Sequence, residues 1–213
     1  MFKQYPIRKL AGTEEFKNTG DKHFSVQKFW SYSFSNLTFN VLRGVLAEFI
    51  VVNALKDDTS SDFRDPTKGF DILYNDKKIE VKCSSYIQDW GEMRHSPISW
   101  VALKAEDLYY RPGTKLDPDG IIAYKADVYV LALLMHHDHA TLDIMNLQQW
   151  CFYVLTRERL REVSGNKNTV AISKLDKHGE TPVSFSGLRA KVDACLGTSV
   201  AFVDKAPFAN PSI

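Results

Sequence analysis

Between Gly69 and Trp90 the chain reads GFDILYNDKKIEVKCSSYIQDW, and two acids and a lysine within it sit where they can act together. A tight turn centred between Asn75 and Asp76 pairs Tyr74 with Lys77, Leu73 with Lys78 and Ile72 with Ile79. The next pair is Asp71 with Glu80. Directly opposed residues have Cβ atoms about 4.5–5.5 Å apart, so two carboxylates side by side need a positive group near them. Strand alternation puts Phe70, Ile72, Tyr74, Ile79 and Val81 on an apolar face. Asp71, Glu80, Lys82 and Ser84 share the other. A slip of one residue would destroy both faces at once.

Two carboxylates from adjacent strands, with positions left for water, suit Mg²⁺. Such an ion polarises a phosphate oxygen and generates hydroxide near neutral pH. The Lys82 ammonium can hold the attacking water or counter charge developing on a phosphate. Glu48 is a third acid, in the stripe Val41, Val45, Glu48, Val52, Leu55. Its neighbours there are apolar, so an ionised group needs a partner or a cation. It is either a water-facing glutamate or a metal ligand aimed at the hairpin.

These residues must be positioned by a larger frame. A helix is expected over Leu37–Leu55, capped by Ser35 or Asn36, apolar on most sides and so buried on most sides. A shorter helix over Phe24–Phe34 would carry Phe24, Trp30 and Phe34 toward a core. A polar break runs from Lys56 to Thr67. A third strand is expected at Ile98–Leu103 and a loop at Arg111–Gly120, which holds two prolines and two glycines. DVYVLALLM (Asp127–Met135) predicts a central strand buried on both faces, and WCFYVL (Trp150–Leu155) another. Thr156 can cap a short helix that Gly165 ends. Thr169–Ser173 predicts a late strand and Gly187–Cys195 a final helix. The order predicts an α/β fold with a mixed sheet between helices.

The chain has 213 residues, with 27 Lys and Arg against 26 Asp and Glu, 44% hydrophobic and 25% charged. These values exclude a disordered, collagen-like or coiled-coil chain and lead to an expectation of one domain over residues 1–213. No apolar run approaches the ~20 residues of a membrane-spanning helix. The opening MFKQYPIRKLAGTEEF does not look like a signal peptide. Cys83, Cys151 and Cys195, an odd number at wide spacing, build no disulfide framework or zinc knuckle. A soluble, reduced, cytoplasmic protein is expected.

The arrangement Asp71, eight residues, then Glu80-Val81-Lys82 resembles the PD-(D/E)xK nuclease superfamily, the restriction-endonuclease-like fold. RGVLAEF (Arg43–Phe49), GFDI (Gly69–Ile72) and EVKCSSYIQDW (Glu80–Trp90) look like its bacterial and phage branch, and the two apolar runs look like its third and fourth core strands. The resemblance covers roughly residues 35–165. Phe70 stands where a proline often precedes the first acid, and Cys83 follows the lysine where serine is more usual. The resemblance implies a Mg²⁺-dependent endonuclease acting on DNA, taken as double-stranded, with Mn²⁺ able to substitute. Asp71, Glu80 and the Val81 carbonyl would hold the metal. Lys82 would orient the nucleophile, Glu48 would bind a second metal or its water, and Gln88 would assist at the edge. A restriction-type enzyme would act as a homodimer, since one site cuts one strand. The alternative is a nucleic-acid-binding or assembly protein that kept the fold and lost the chemistry.

Other residues have plainer expectations. His136-His137-Asp138-His139 lacks metal-ligand spacing and is expected in a polar loop. Arg64, Lys68, Arg94 and His95 flank the hairpin and are surface charge or phosphate contacts. Arg157, Arg159 and Arg161 suit an exposed helix face. Trp90 and Trp100 are expected in the core, and Cys151 buried and inert.

Overall fold

The computed structural model describes residues 8–57, 63–64, 69–110 and 116–197, with the backbone alone for 106–110 and 116–121. Asn75 and Asp76 have φ of +49° and +59°, the left-handed pair that a two-residue hairpin turn requires. They join β1 (Ile72–Tyr74) to β2 (Lys77–Ser85) in the expected register, Ile72 with Ile79, Leu73 with Lys78 and Tyr74 with Lys77. β2 runs parallel to β6 (Val128–Leu134), and β6 antiparallel to β7 (Trp150–Thr156). The sheet order is β1-β2-β6-β7.

The apolar runs behave as strands buried on both sides. Every residue of β6 is buried. Val128, Val130, Ala132 and Leu134 join Trp150, Phe152 and Val154 in one core, with Ala47, Ile50, Val51 and Leu55 of α2 (Asn40–Leu55) and Leu188 and Val192 of α5 (Phe185–Leu196). Tyr129, Leu131 and Leu133 join Cys151, Tyr153 and Leu155 in a second core. That core is closed by Leu160 and Val163 of α3 (Arg157–Ser164), Leu175 of α4 (Ile172–Lys177), Trp100 of β3 (Ser99–Val101) and Val170 of β8 (Thr169–Ala171). The architecture is mixed α/β, a mixed sheet flanked by helices. Thr156 caps α3 by accepting from the Arg159 N–H, and Gly165 ends it at φ +65°, as expected.

Several expectations are corrected. α2 begins at Asn40, and no described side chain caps it at Phe39. Ser35 instead closes α1 (Val26–Phe34), and Asn36 accepts from Thr38 Oγ1 at 2.8 Å. α2 is not buried on most sides: Val41 and Phe49 are 64% and 61% exposed, because only the sheet and α5 cover it among the described elements. α1 forms but buries no residue, and Trp30 and Phe34 are partly exposed rather than in a core.

The strand near Ile98–Leu103 is β3, but it pairs with β8 in a separate ribbon, Trp100 opposite Val170. The segment expected as a loop, Arg111–Gly120, lies outside the described residues at 111–115 and is strand from Leu116. β4 (Ala105–Tyr110) and β5 (Leu116–Ala123) form a two-stranded ribbon. Pro118 is tolerated there because a two-stranded ribbon leaves each strand a free edge. The polar break over 56–67 falls partly outside the described residues. No helix among the described residues is long and apolar enough to cross a membrane.

Candidate active site

The hairpin delivers its acids by burying the opposite face. Ile72, Tyr74, Ile79 and Val81 are at most 8% exposed and lie in the first core. Tyr74 is pinned further by its hydroxyl, which donates to Asp193 of α5 at 3.0 Å. Glu80 and Lys82 therefore face the other way, and their side chains meet at 2.6 Å. With side-chain exposures of 14% and 25% they are half-buried, not a solvated strand face.

The fourth hairpin pair departs from expectation. The ladder ends at Ile72 and Ile79, and Asp71 N donates to Ile79 O at 3.1 Å, one step off register. Its carboxylate curls onto the strand and accepts the Val81 N–H at 2.7 Å. Asp71 is thus held at the edge of β2 instead of lying flat opposite Glu80. The backbone N–H that a regular pair would use is satisfied by a side chain.

The acids still converge. The Asp71 carboxyl is pushed up to about 7, first by burial and then by the negative charges of Glu80 and Glu48, against the Val81 N–H and the Lys82 ammonium. Glu48 reaches this cluster from α2 and is held by Arg64, whose Nε and Nη2 donate to its two oxygens at 2.5 and 2.9 Å. That two-point grip raises the Arg64 pKa, with a smaller contribution from Asp71. Residues 48, 64, 71, 80 and 82 thus form one electrostatic group. It is drawn from a helix, one strand and the non-strand residues Arg64 and Asp71.

Among the described residues no three His, Cys, Asp or Glu side chains are arranged to hold a metal ion. The reason is visible in the partners. Glu48 is turned onto Arg64, Glu80 onto Lys82 and Asp71 onto an amide. The donor chemistry nevertheless fits a hard divalent cation: carboxylate oxygens are the ligands Mg²⁺ takes. The Asp71 pKa is raised by burial first and by the charges of Glu80 and Glu48 next, and a cation would offset both. Val81 has its side chain in the core and gives its N–H to Asp71, leaving its carbonyl as the only group it can offer.

No family model, curated protein or solved structure matches the chain. The site is therefore read from its own residues.

Gln88 is engaged by Arg43 and by the backbone of β2. Its Oε1 accepts from Arg43 Nη2 at 2.9 Å and its Nε2 donates to Ser85 O at 2.9 Å. Lys68 lies outside the described residues. His95 packs edge-on against His137, which lies over Tyr86 with ring centroids 4.0 Å apart, and His136 bonds Thr141 at 2.8 Å. Those histidines sit in a polar loop, as expected. Arg157 and Arg159 are tied down by Asp127 and Glu180 rather than free. Trp100 is core, but Trp90 is 50% exposed, against expectation. Cys151 is buried, and desolvation pushes its thiol to about 12, which leaves it inert. The expectations overlooked Arg43, a buried charge. Its spacing of four from Ala47, and theirs from Val51, was the available signal.

Proposed function

We propose that this chain is a divalent-cation-dependent endonuclease that hydrolyses phosphodiester bonds of double-stranded DNA on a PD-(D/E)xK, restriction-endonuclease-like fold. One observation carries the reading. Asp71 and Glu80 on the hairpin and Glu48 on a helix are far apart in sequence, yet each raises or shares the charge burden at one spot, with Lys82 alongside. A solvated strand face does not need a third acid from a helix. Asp71, Glu80 and the Val81 carbonyl would hold Mg²⁺ or Mn²⁺, with Glu48 serving a second ion or its water. Bound, the cation supplies Lewis acidity toward a phosphate oxygen and the attacking water. Lys82 would orient the attacking water or neutralise the phosphate as charge develops. A homodimer would bring one such site to each strand. The free thiols Cys83, Cys151 and Cys195 accord with a cytoplasmic protein.

A second reading has its own observation. Arg64 and Lys82 already neutralise two of the acids, as in a protein that kept the fold for binding or assembly alone. The test is purified protein with supercoiled plasmid and with oligonucleotides, in Mg²⁺, Mn²⁺ or EDTA, repeated with Asp71→Asn and Lys82→Ala. Nicking that needs the metal and vanishes in both variants supports the nuclease. Binding without cutting in either metal supports the second reading, and no affinity for nucleic acid sinks both.

A further inference from the structure

Arg43 is 4% exposed on the inner face of α2. No carboxylate among the described residues pairs with it. Its guanidinium donates to neutral acceptors only: Thr38 O at 2.8 Å, Ile87 O at 3.5 Å, Gln88 Oε1 at 2.9 Å and Asn40 Oδ1, with the Cys83 thiol also in its reach. Its Nε has no partner. Guanidinium stays charged at every accessible pH, and a buried unpaired charge is strongly unfavourable unless an anion arrives.

Arg43 lines a cleft of about 370 Å³ together with Asn40, Ser84, Gln88, Trp90 and Ser99. That volume lies within the roughly 300–1,000 Å³ of small-molecule sites. One further feature favours an anion there. The 16-residue α2 begins at Asn40 with no side chain capping its first N–H groups, so its positive end lies at the cleft wall. Glu92, on the loop that borders the cleft, accepts the Ser96 hydroxyl at 2.5 Å through one oxygen and keeps its other oxygen buried without a partner, so the border also holds a carboxylate, one that does not pair with Arg43. At the rim stands Trp90, a large aromatic half in solvent, as a stacking platform must be. Ser84 lies two residues past Lys82 on β2, and β1 pairs with that strand only as far as Ile79.

We infer that this cleft binds a phosphate group of a nucleic acid strand, with Arg43 holding the anion and a neighbouring base stacked on Trp90. The strand as source rests on the proposed nuclease reading; the anion site itself does not.

The test uses the full chain and three readouts. The first is thermal melting in inorganic phosphate against chloride at equal ionic strength. The second is binding of a labelled single-stranded oligonucleotide in EDTA, and the third is its displacement by phosphate. Wild type should show a saturable upward shift in melting temperature with phosphate. Ser99→Asp puts a carboxylate in the lining of the cleft that Arg43 shares; it should abolish that shift while melting no lower than wild type without phosphate. It should also weaken oligonucleotide binding about tenfold, as should Trp90→Ala, which leaves the phosphate shift intact. Arg43→Gln should match Ser99→Asp, and if it fails to fold, Ser99→Asp decides alone. Asp71→Asn, outside the cleft, should keep the phosphate shift whether or not wild type cuts DNA, which separates this inference from the nuclease reading. The inference is overturned by no saturable phosphate shift in wild type, or by a shift that survives Ser99→Asp. Oligonucleotide affinity unchanged in Ser99→Asp also overturns it, leaving a site for free phosphate alone.

Discussion

Asp71 pays the largest electrostatic cost in the molecule's candidate site, and that cost has a sign. Its folded pKa, about 7, lies above the ~3.9 of an unfolded aspartate. The native state therefore binds the extra proton across that interval, so stability falls as pH rises from about 4 to 7 and the penalty is complete above 7. Asn at position 71 keeps an acceptor for the Val81 N–H and carries no charge. Asp71→Asn should therefore melt higher than wild type at pH 8, by on the order of a few kcal/mol, with the difference shrinking toward pH 4. A pH series of thermal melts checks this, and a difference that is flat with pH would remove the cause assigned to the shift. Lys82 is expected to act on the reaction more than on the fold. Lys82→Ala should lower plasmid cutting by about 10²–10³-fold, by analogy with loss of one charge-stabilising donor. It should bind DNA nearly as before, which a gel-shift assay in Ca²⁺ measures.

At the scale of elements, the hairpin is the part that sequence revealed best, because two independent constraints agreed. The Asn75-Asp76 turn fixed the register, and burial of Ile72, Tyr74, Ile79 and Val81 fixed the faces. β6 and β7 were legible for a related reason: continuous apolar runs have few places to go but the middle of a sheet. The ribbon β4–β5 was not, since Pro118 and Gly120 are loop signals that a free-edged strand tolerates. α4 was missed because six residues carry no usable period. Within the site, the off-register turn of Asp71 onto Val81 N could not be foreseen, because it depends on where the ladder opens. Arg43 shares the buried face through its spacing of four from Ala47, but that signal is weak against the usual exposure of charged residues. The turn itself is testable. Asp76 sits at φ +59°, so Asp76→Val should cost about 1–2 kcal/mol and depress cutting by tilting the acids, whereas Asp76→Gly should be tolerated. Denaturant melts and plasmid cutting on the pair distinguish local strain from loss of the aspartate side chain, which both variants lack.

For the whole molecule, the sheet acts as a partition. One face packs against α2 and α5, the other against α3, α4 and the β3–β8 ribbon. The acids act on one another where β1 begins, and the helix that carries Glu48 also carries Arg43. A cation bound at that place stabilises the folded chain by mass action, about 2.7 kcal/mol at a concentration 100 times its dissociation constant. Because a proton on Asp71 competes with it, Mg²⁺ should raise the melting temperature more at pH 8 than at pH 6. Equal stabilisation at both would mean that the ion binds elsewhere. The central claim is that Glu48, Asp71 and Glu80 make a cation-holding group with Lys82 beside it. Its most direct measurement is calorimetric titration of the chain with Mn²⁺ near pH 7, run in two buffers of different ionisation enthalpy. The account predicts saturable binding whose heat depends on the buffer, because Asp71 releases its proton, and loss of that binding in Asp71→Asn. An absence of saturable binding in wild type, or binding that Asp71→Asn leaves unchanged, would contradict it.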